Sequence, residues 1–168
     1  MVVPPSLPNL IANGDFSAGL SNWLIYGLSS ESSVVVDLQD GALHFYRPTD
    51  SQQAVVFQNT ETPLAANAPL QAQFLLGNAH TERKRVTVLL YDTDFSDLSV
   101  CTFWLPPKQP PTMYGMEART TRAWTAAHLS FYASTADDAG WYQIDDVKLT
   151  SDPLQPVTHT ACFDLNAP

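Results

Sequence analysis

Short apolar or alternating runs, each closed by turn residues, dominate this chain from residue 34 onward. They lie at 34–38, 42–47, 54–58, 70–76, 85–91, 98–105, 126–134 and 141–149. Each has the length of a strand, and Gly, Pro, Asn, Asp or Ser separates nearly all of them. No stretch of comparable length keeps a 3.6-residue period free of proline and β-branched residues, so helices should be few and short. Eight or nine strands within about 150 residues form a two-sheet sandwich rather than a parallel sheet. The expected class is therefore all-β, a two-sheet antiparallel β-sandwich. No internal repeat of fixed period interrupts the pattern.

Composition narrows what such a domain can do. With 168 residues and 45% hydrophobic content, the chain can bury one sizeable core, which excludes disorder and makes one domain the economical count. Eight basic side chains against 17 acidic ones give a formal charge of −9. That balance repels phosphate backbones and anionic membrane surfaces, so nucleic acid is not an expected partner. The longest apolar stretches, such as 86–91, fall far short of the ~20 residues that cross a bilayer. Val-Val-Pro-Pro after Met1 carries neither a basic nor an apolar leader segment, so any export signal would have to be one already trimmed away.

Cys101 and Cys162 could close one bridge in an oxidising compartment or stay as two inert thiols. Neither belongs to a Cys-x-x-Cys pair, and His44, His80, His128 and His159 are too scattered for a zinc site. Proline marks the ends. Residues 1–8 read as an extended linker, 9–150 as the domain, and 151–168 as a tail or linker that could dock through Cys162 and Phe163. A second proline cluster at 105–115 lacks the donors of a central strand and is expected as a surface loop or an edge.

Alternation assigns side chains to faces. In LQAQFLL, Leu70, Ala72, Phe74 and Leu76 share the core side and leave Gln71 and Gln73 outside. In ALHFYR, Leu43 and Phe45 oppose His44 and Tyr46. In AHLSFYA, Leu129, Phe131 and Ala133 oppose His128, Ser130 and Tyr132. If these strands share one sheet, amide, imidazole and phenol groups gather on one weakly charged surface. Such a surface suits a sugar, whose C–H face stacks on aromatic rings and whose hydroxyls pair with groups that both donate and accept. Each of these residues taken alone is also what an ordinary wetted sheet face would carry.

Two segments go further than pattern. NLIANGDFSAGLSNW at 9–23 resembles the entry motif of the galactose-binding-like jelly rolls among carbohydrate-binding modules, especially the xylan- and β-glucan-binding families. WTAAHLSFYAS at 124–134 with AGWYQIDDVKL at 139–149 resembles their closing strands. The resemblance implies a jelly roll in which the last strand returns beside the first segment. It also implies a structural calcium at the corner near Asp15, held with Asp145 or, as second choice, Asp146. Calcium accepts carbonyl and carboxylate oxygens together. Ser17 stands where the family motif carries Glu, so Asp37 or Asp40 would have to replace that ligand. Otherwise Asp15 and Asp145 simply satisfy turn amides.

The same resemblance places Trp23 and Trp124 in the core rather than in a site. It raises His128 and Tyr132 as ligand contacts, with Trp104 and Tyr114 as lesser candidates for a groove wall. The full expected ligand-binding set is His44, Tyr46, Gln71, Gln73, Trp104, His128 and Tyr132.

Other chemistries find little support. YDTDFSD brings Asp92, Asp94 and Asp97 together but lacks the glycine and distant Glu of an EF-hand, and it reads as a solvated acidic turn. No carboxylate pair is marked out for glycoside hydrolysis, and no Gly-x-Ser-x-Gly elbow occurs. The expectation is a non-catalytic module, secreted or at a cell surface, that binds a polysaccharide or oligosaccharide, with calcium as a structural ion. The alternative is a structural or adhesive subunit of an extracellular assembly, joined to neighbours through its terminal segments.

Overall fold

Eleven strands follow one another in the computed structural model, which describes residues 7–26, 34–36, 41–47, 54–134 and 140–166. They are β1 (Leu24–Tyr26), β2 (Val34–Val36), β3 (Leu43–Phe45), β4 (Val55–Asn59), β5 (Pro69–Asn78) and β6 (Lys84–Asp92). They continue with β7 (Leu98–Leu105), β8 (Gln109–Arg119), β9 (Ala127–Ala133), β10 (Tyr142–Thr150) and β11 (Ala161–Asp164). Sheet A runs β1-β4-β9-β6-β7 and sheet B runs β11-β8-β5-β10-β3-β2. All pairings between these strands are antiparallel, and the described residues contain no helix. The architecture is the two-sheet sandwich of jelly-roll type.

Alternation builds the core from both sheets. Leu70, Ala72, Phe74 and Leu76 of β5 face Leu129, Phe131 and Ala133 of β9, all of them buried. A file of rings crosses the interior, from Trp23 to Phe131 (6.3 Å between centroids), Phe74 (5.2 Å), Phe103 (5.6 Å) and Tyr114 (5.1 Å). Edge-to-face and tilted pairs of this kind add stability beyond their buried area. Trp23 and Trp124 are both core residues.

Three strands were not expected, each for a local reason. β1 and β11 are too short to show a period. β8 contains Pro110 and Pro111, in the stretch expected as a loop or an edge. The prolines are tolerated because the β5–β8 register slips between Leu76 and Asn78, and β11 covers β8 only from Tyr114 to Glu117. On its other side β8 is an edge at the prolines, where a missing N–H costs no ladder bond.

The opening segment 9–23 is not a strand but a chain of turns laid along the far half of β10. β3 pairs with β10 only from Tyr142 to Ile144. Beyond a bulge between Asp145 and Lys148, the freed edge is taken by Leu10 N donating to Leu149 O (2.7 Å) and Val147 N donating to Gly14 O (2.9 Å). Asn9 Oδ1 accepts from Ile11 N and Leu149 N. The Gln58 side chain brackets Ala12 from sheet A, accepting from its N–H and donating to its C=O. First and last segments thus lie side by side, as the resemblance implies. Gly14 is required by space, since a Cβ there would run into the Val147 carbonyl.

The tail docks on its own chain. β11 pairs with β8, and the Cys101–Cys162 disulfide ties it across to β7 of sheet A. Val157 is buried, and Arg119 Nη1 donates to its carbonyl. Of the expected linker, residues 1–6 lie outside the described residues.

Candidate functional site

Register arranges the outer face of sheet A into rungs. One rung runs Tyr26, Val55, Tyr132, Thr87, Thr102 from β1 to β7. The next runs Leu24, Phe57, Ser130, Leu89, Val100, and a third holds Asn59, His128, Tyr91 and Leu98. Two hollows share Tyr132 on this face. The first, of 360 Å³, is lined by Tyr26, Val55, Phe57, Tyr91, Thr93, Phe95, His128 and Tyr132. The second, of 430 Å³, continues past Thr87 and Leu89 to Arg47, Arg85 and Ser134. No Asp or Glu lines either hollow among the described residues.

Aromatic groups make the first hollow. Phe95 stacks flat on Tyr91 (4.3 Å, 7° between planes), and Tyr91 stacks in turn on His128 (5.0 Å, 25°). Phe95 is 50% exposed and Tyr26 62% exposed, so their ring faces are available to a ligand. Ser130 Oγ donates to the Tyr91 hydroxyl at 2.8 Å, deep in the sheet. Burial pushes the Tyr91 phenol above its ordinary value, with the Ser130 bond opposing the shift. Burial, with nearby Tyr91 adding to it, does the same for Tyr132. Both phenols therefore stay protonated at neutral pH and can donate as well as accept.

The expected ligand-binding residues divide between two faces. Tyr132, His128 and Trp104 lie on the outer face of sheet A, Trp104 on the edge strand β7 in register with Arg85. His44, Tyr46, Gln71 and Gln73 belong to β3, its continuation and β5, on the opposite side of the sandwich. The expectation that all these strands share one sheet is corrected by the topology. Alternation sorted the residues into inner and outer correctly, but two sheets have two outer faces.

On sheet B, Tyr46 and Gln71 are already engaged. Tyr46 packs edge-on against Trp141 at 4.6 Å. Gln71 Nε2 donates to Glu117 Oε1 at 2.9 Å beside a hollow of only 170 Å³ that Gln73, Phe163 and Leu165 also line.

His128 is 8% exposed and stacks on Tyr91, whose ring also meets Phe95, so it extends the aromatic stack and meets little solvent. Tyr114, the other lesser candidate, is buried in the core. Sequence reading missed Tyr26, Phe57, Tyr91, Phe95, Arg47 and Arg85. Only the alternation of β4 and β6 held a trace of Phe57, Tyr91 and Arg85.

The acidic turn also needs correction. Asp92 is buried, and its Oδ1 accepts from Thr93 N, Thr125 N and Ala126 N. Asp97 Oδ2 accepts from Thr121 N and Trp124 Nε1. Burial pushes the Asp97 carboxyl up, but the hydrogen bonds from Trp124 and Thr121 outweigh it and hold it below its usual range. The turn clamps the 120–126 segment and so holds Phe95 and β9 in place, leaving only Asp94 as a solvated member.

The carboxylates expected to hold a calcium ion at the corner each have other partners among the described residues. No three His, Cys, Asp or Glu side chains converge among them. Asp15 is exposed and accepts from Ser17 N and Oγ, which lowers its pKa. Asp145 accepts from Asp146 N, and Asp146 pairs with Lys148 at 3.1 Å. Two of the corner's carbonyls take donors from the protein, Asn13 O from Trp23 Nε1 and Gly14 O from Val147 N. Asn13 Nδ2 gathers the Gly19 and Ser21 carbonyls at 2.9 Å each, so an amide closes the turn. Asp37 and Asp40 lie outside the described residues.

Three solved structures share this arrangement of strands. A family 4 carbohydrate-binding module matches with a TM-score of 0.60 and 17% identity, covering 82% of this chain and 99% of that one. A family 61 module, solved with β-1,4-galactotriose, matches at 0.59 and 18%, covering 86% and 99%. The enzymatically active domain of tailspike protein 4 from bacteriophage CBA120 matches at 0.62 and 16%, covering 86% of this chain; the chain spans 21% of that protein. No protein-family model and no curated protein matches the sequence. The chain has the jelly-roll fold of carbohydrate-binding modules.

Proposed function

We propose that the chain is a non-catalytic, extracellular glycan-binding module whose ligand lies across the outer face of sheet A. The observation that carries this reading is the aromatic groove itself, in which Tyr26, Phe57, Phe95 and Tyr132 surround one hollow. Sugar rings stack on the available ring faces, and the Tyr132 phenol and Thr87 hydroxyl pair with sugar hydroxyls. The groove lacks the pair of carboxyls that a glycosidase would need among its described lining residues. The shared fold with sugar-binding modules and the disulfide support the same assignment.

The test is affinity electrophoresis against soluble xylans, glucans, mannans and galactans. The parent is expected to be retarded by at least one of them. Tyr132→Ala should weaken that binding about tenfold, in the range of a single stacking and hydrogen-bonding residue, with thermal stability nearly retained. Unchanged retardation of Tyr132→Ala would move the site off this face.

A further inference from the structure

The two hollows of the sheet A face differ in kind, and the difference names a ligand. We propose that the end of the groove beside Arg85 takes an acidic sugar, a uronic acid whose carboxylate meets the Arg85 guanidinium, while the aromatic half takes neutral sugars. This inference rests on the glycan-binding reading of the same face.

Cations are scarce in this chain, eight against 17 acidic residues. Arg47 and Arg85 nevertheless line one hollow of 430 Å³. A third, Arg83, lies over the Trp104 ring at 5.0 Å, and Trp104 is the register partner of Arg85 on the next strand. Arg83 and Arg85 thus bring two of the eight positive charges to one end of this sheet face.

Arg85 occupies the rung beside the one that carries Tyr132 and Thr87. Along β6, Arg85 lies about 7 Å from Thr87, the register partner of Tyr132, roughly one sugar along a chain that stacks on Tyr132. The Arg85 side chain is exposed, and its planar fork matches a carboxylate bidentately. The net charge of −9 disfavours a densely anionic polymer through long-range repulsion. A mostly neutral chain bearing occasional uronic acids satisfies both facts.

The experiment measures affinity for matched oligosaccharides with xylan, glucan and galactan backbones, each neutral or bearing one uronic acid, at low salt. The parent is expected to prefer the acidic member of the pair it binds by about tenfold, the scale of one charged hydrogen-bonding contact. Added salt should shrink that ratio. Arg85→Gln should bring the ratio to about one, and Arg85→Lys, which keeps the charge and loses the fork, should leave it in between. Melting temperatures confirm that both variants fold. Equal binding of neutral and acidic members overturns the inference and leaves the glycan reading standing, as does a preference that Arg85→Gln does not alter. Absence of binding to every member takes both down.

Discussion

The outer faces of the two sheets arise from the same alternating code yet end as different surfaces. On sheet A, rows of register partners place Tyr26, Phe57, Tyr91, Phe95 and Tyr132 around hollows of 360 and 430 Å³. On sheet B, Gln71, which alternation put outside, pairs with Glu117 beside a hollow of 170 Å³ that tail residues Phe163 and Leu165 also line. A polar outward residue is therefore a potential ligand contact only where its neighbours across the ladder leave it unsatisfied. Those neighbours come from strands far away in sequence.

The largest expected effect separates the faces by stability. The Cys101–Cys162 bridge spans 61 residues and holds the edge of sheet B. In the chain-entropy treatment, closing such a loop contributes about 4 kcal/mol. The Cys101→Ala/Cys162→Ala variant should lose about that much in urea unfolding and still bind glycan once folded. Lost binding in the folded variant would mean that the two faces are not independent.

Next comes the pair of faces tested directly. Tyr26→Ala/Tyr132→Ala should reduce glycan affinity by about a hundredfold, two platform residues at roughly tenfold each. Gln71→Ala/Gln73→Ala on sheet B should stay within about twofold. The reverse outcome in calorimetric titration would assign the ligand to sheet B. His128→Ala belongs to another category: its buried ring stacks on Tyr91, so truncation should cost about 2 kcal/mol of stability and reduce binding only through the platform.

A smaller effect tests the clamp beneath Phe95. The Asp97 carboxyl has its folded pKa depressed by Trp124 and Thr121. Its contribution to stability is therefore fully present above the unfolded value and is lost as pH falls through the lower folded one. Asp97→Asn should be less stable than the parent at pH 7, by about 1 kcal/mol for hydrogen bonds to a partly screened charge. The difference should close under acid, below the ordinary carboxylate range. A gap that persists at pH 2 would deny the carboxylate its role.

The smallest expected effect concerns the corner. Since amide and indole donors reach the carbonyls of Asn13, Gly19 and Ser21, melting curves with calcium and with chelator should coincide. A calcium-dependent rise would direct attention to Asp37 and Asp40.

Much of the fold could be read from residues in order. All eight runs recognised by alternation became strands, and the sides taken by Leu129, Phe131, Leu70 and Phe74 followed from period two alone. The corner at 9–23 and the strand at 142–150 were recognisable as partners by resemblance, and they lie together. What escaped were three short or proline-bearing strands, whose existence depends on a neighbour offering hydrogen bonds.

The candidate site was legible only in part. Tyr132 and Trp104 fell on the grooved face, but Tyr26 sits in a three-residue strand and Phe95 in a turn at φ +58°, where no periodicity could mark them. The exposed polar residues of β3 and β5 carried the same local signature as those of β9 and proved to belong to the opposite sheet.

From the amino acids in order came the β class, the inward and outward sense of each long strand, and the acidic charge balance. Period and charge are properties of neighbours along the chain. The choice of sheet for each strand, the joining of Cys101 to Cys162, and the meeting of Tyr26, Phe95 and Arg85 around Tyr132 were decided by long-range pairing. Two faces with equal local patterns differ only in which distant strands satisfy or expose them, and that is settled when the sandwich closes.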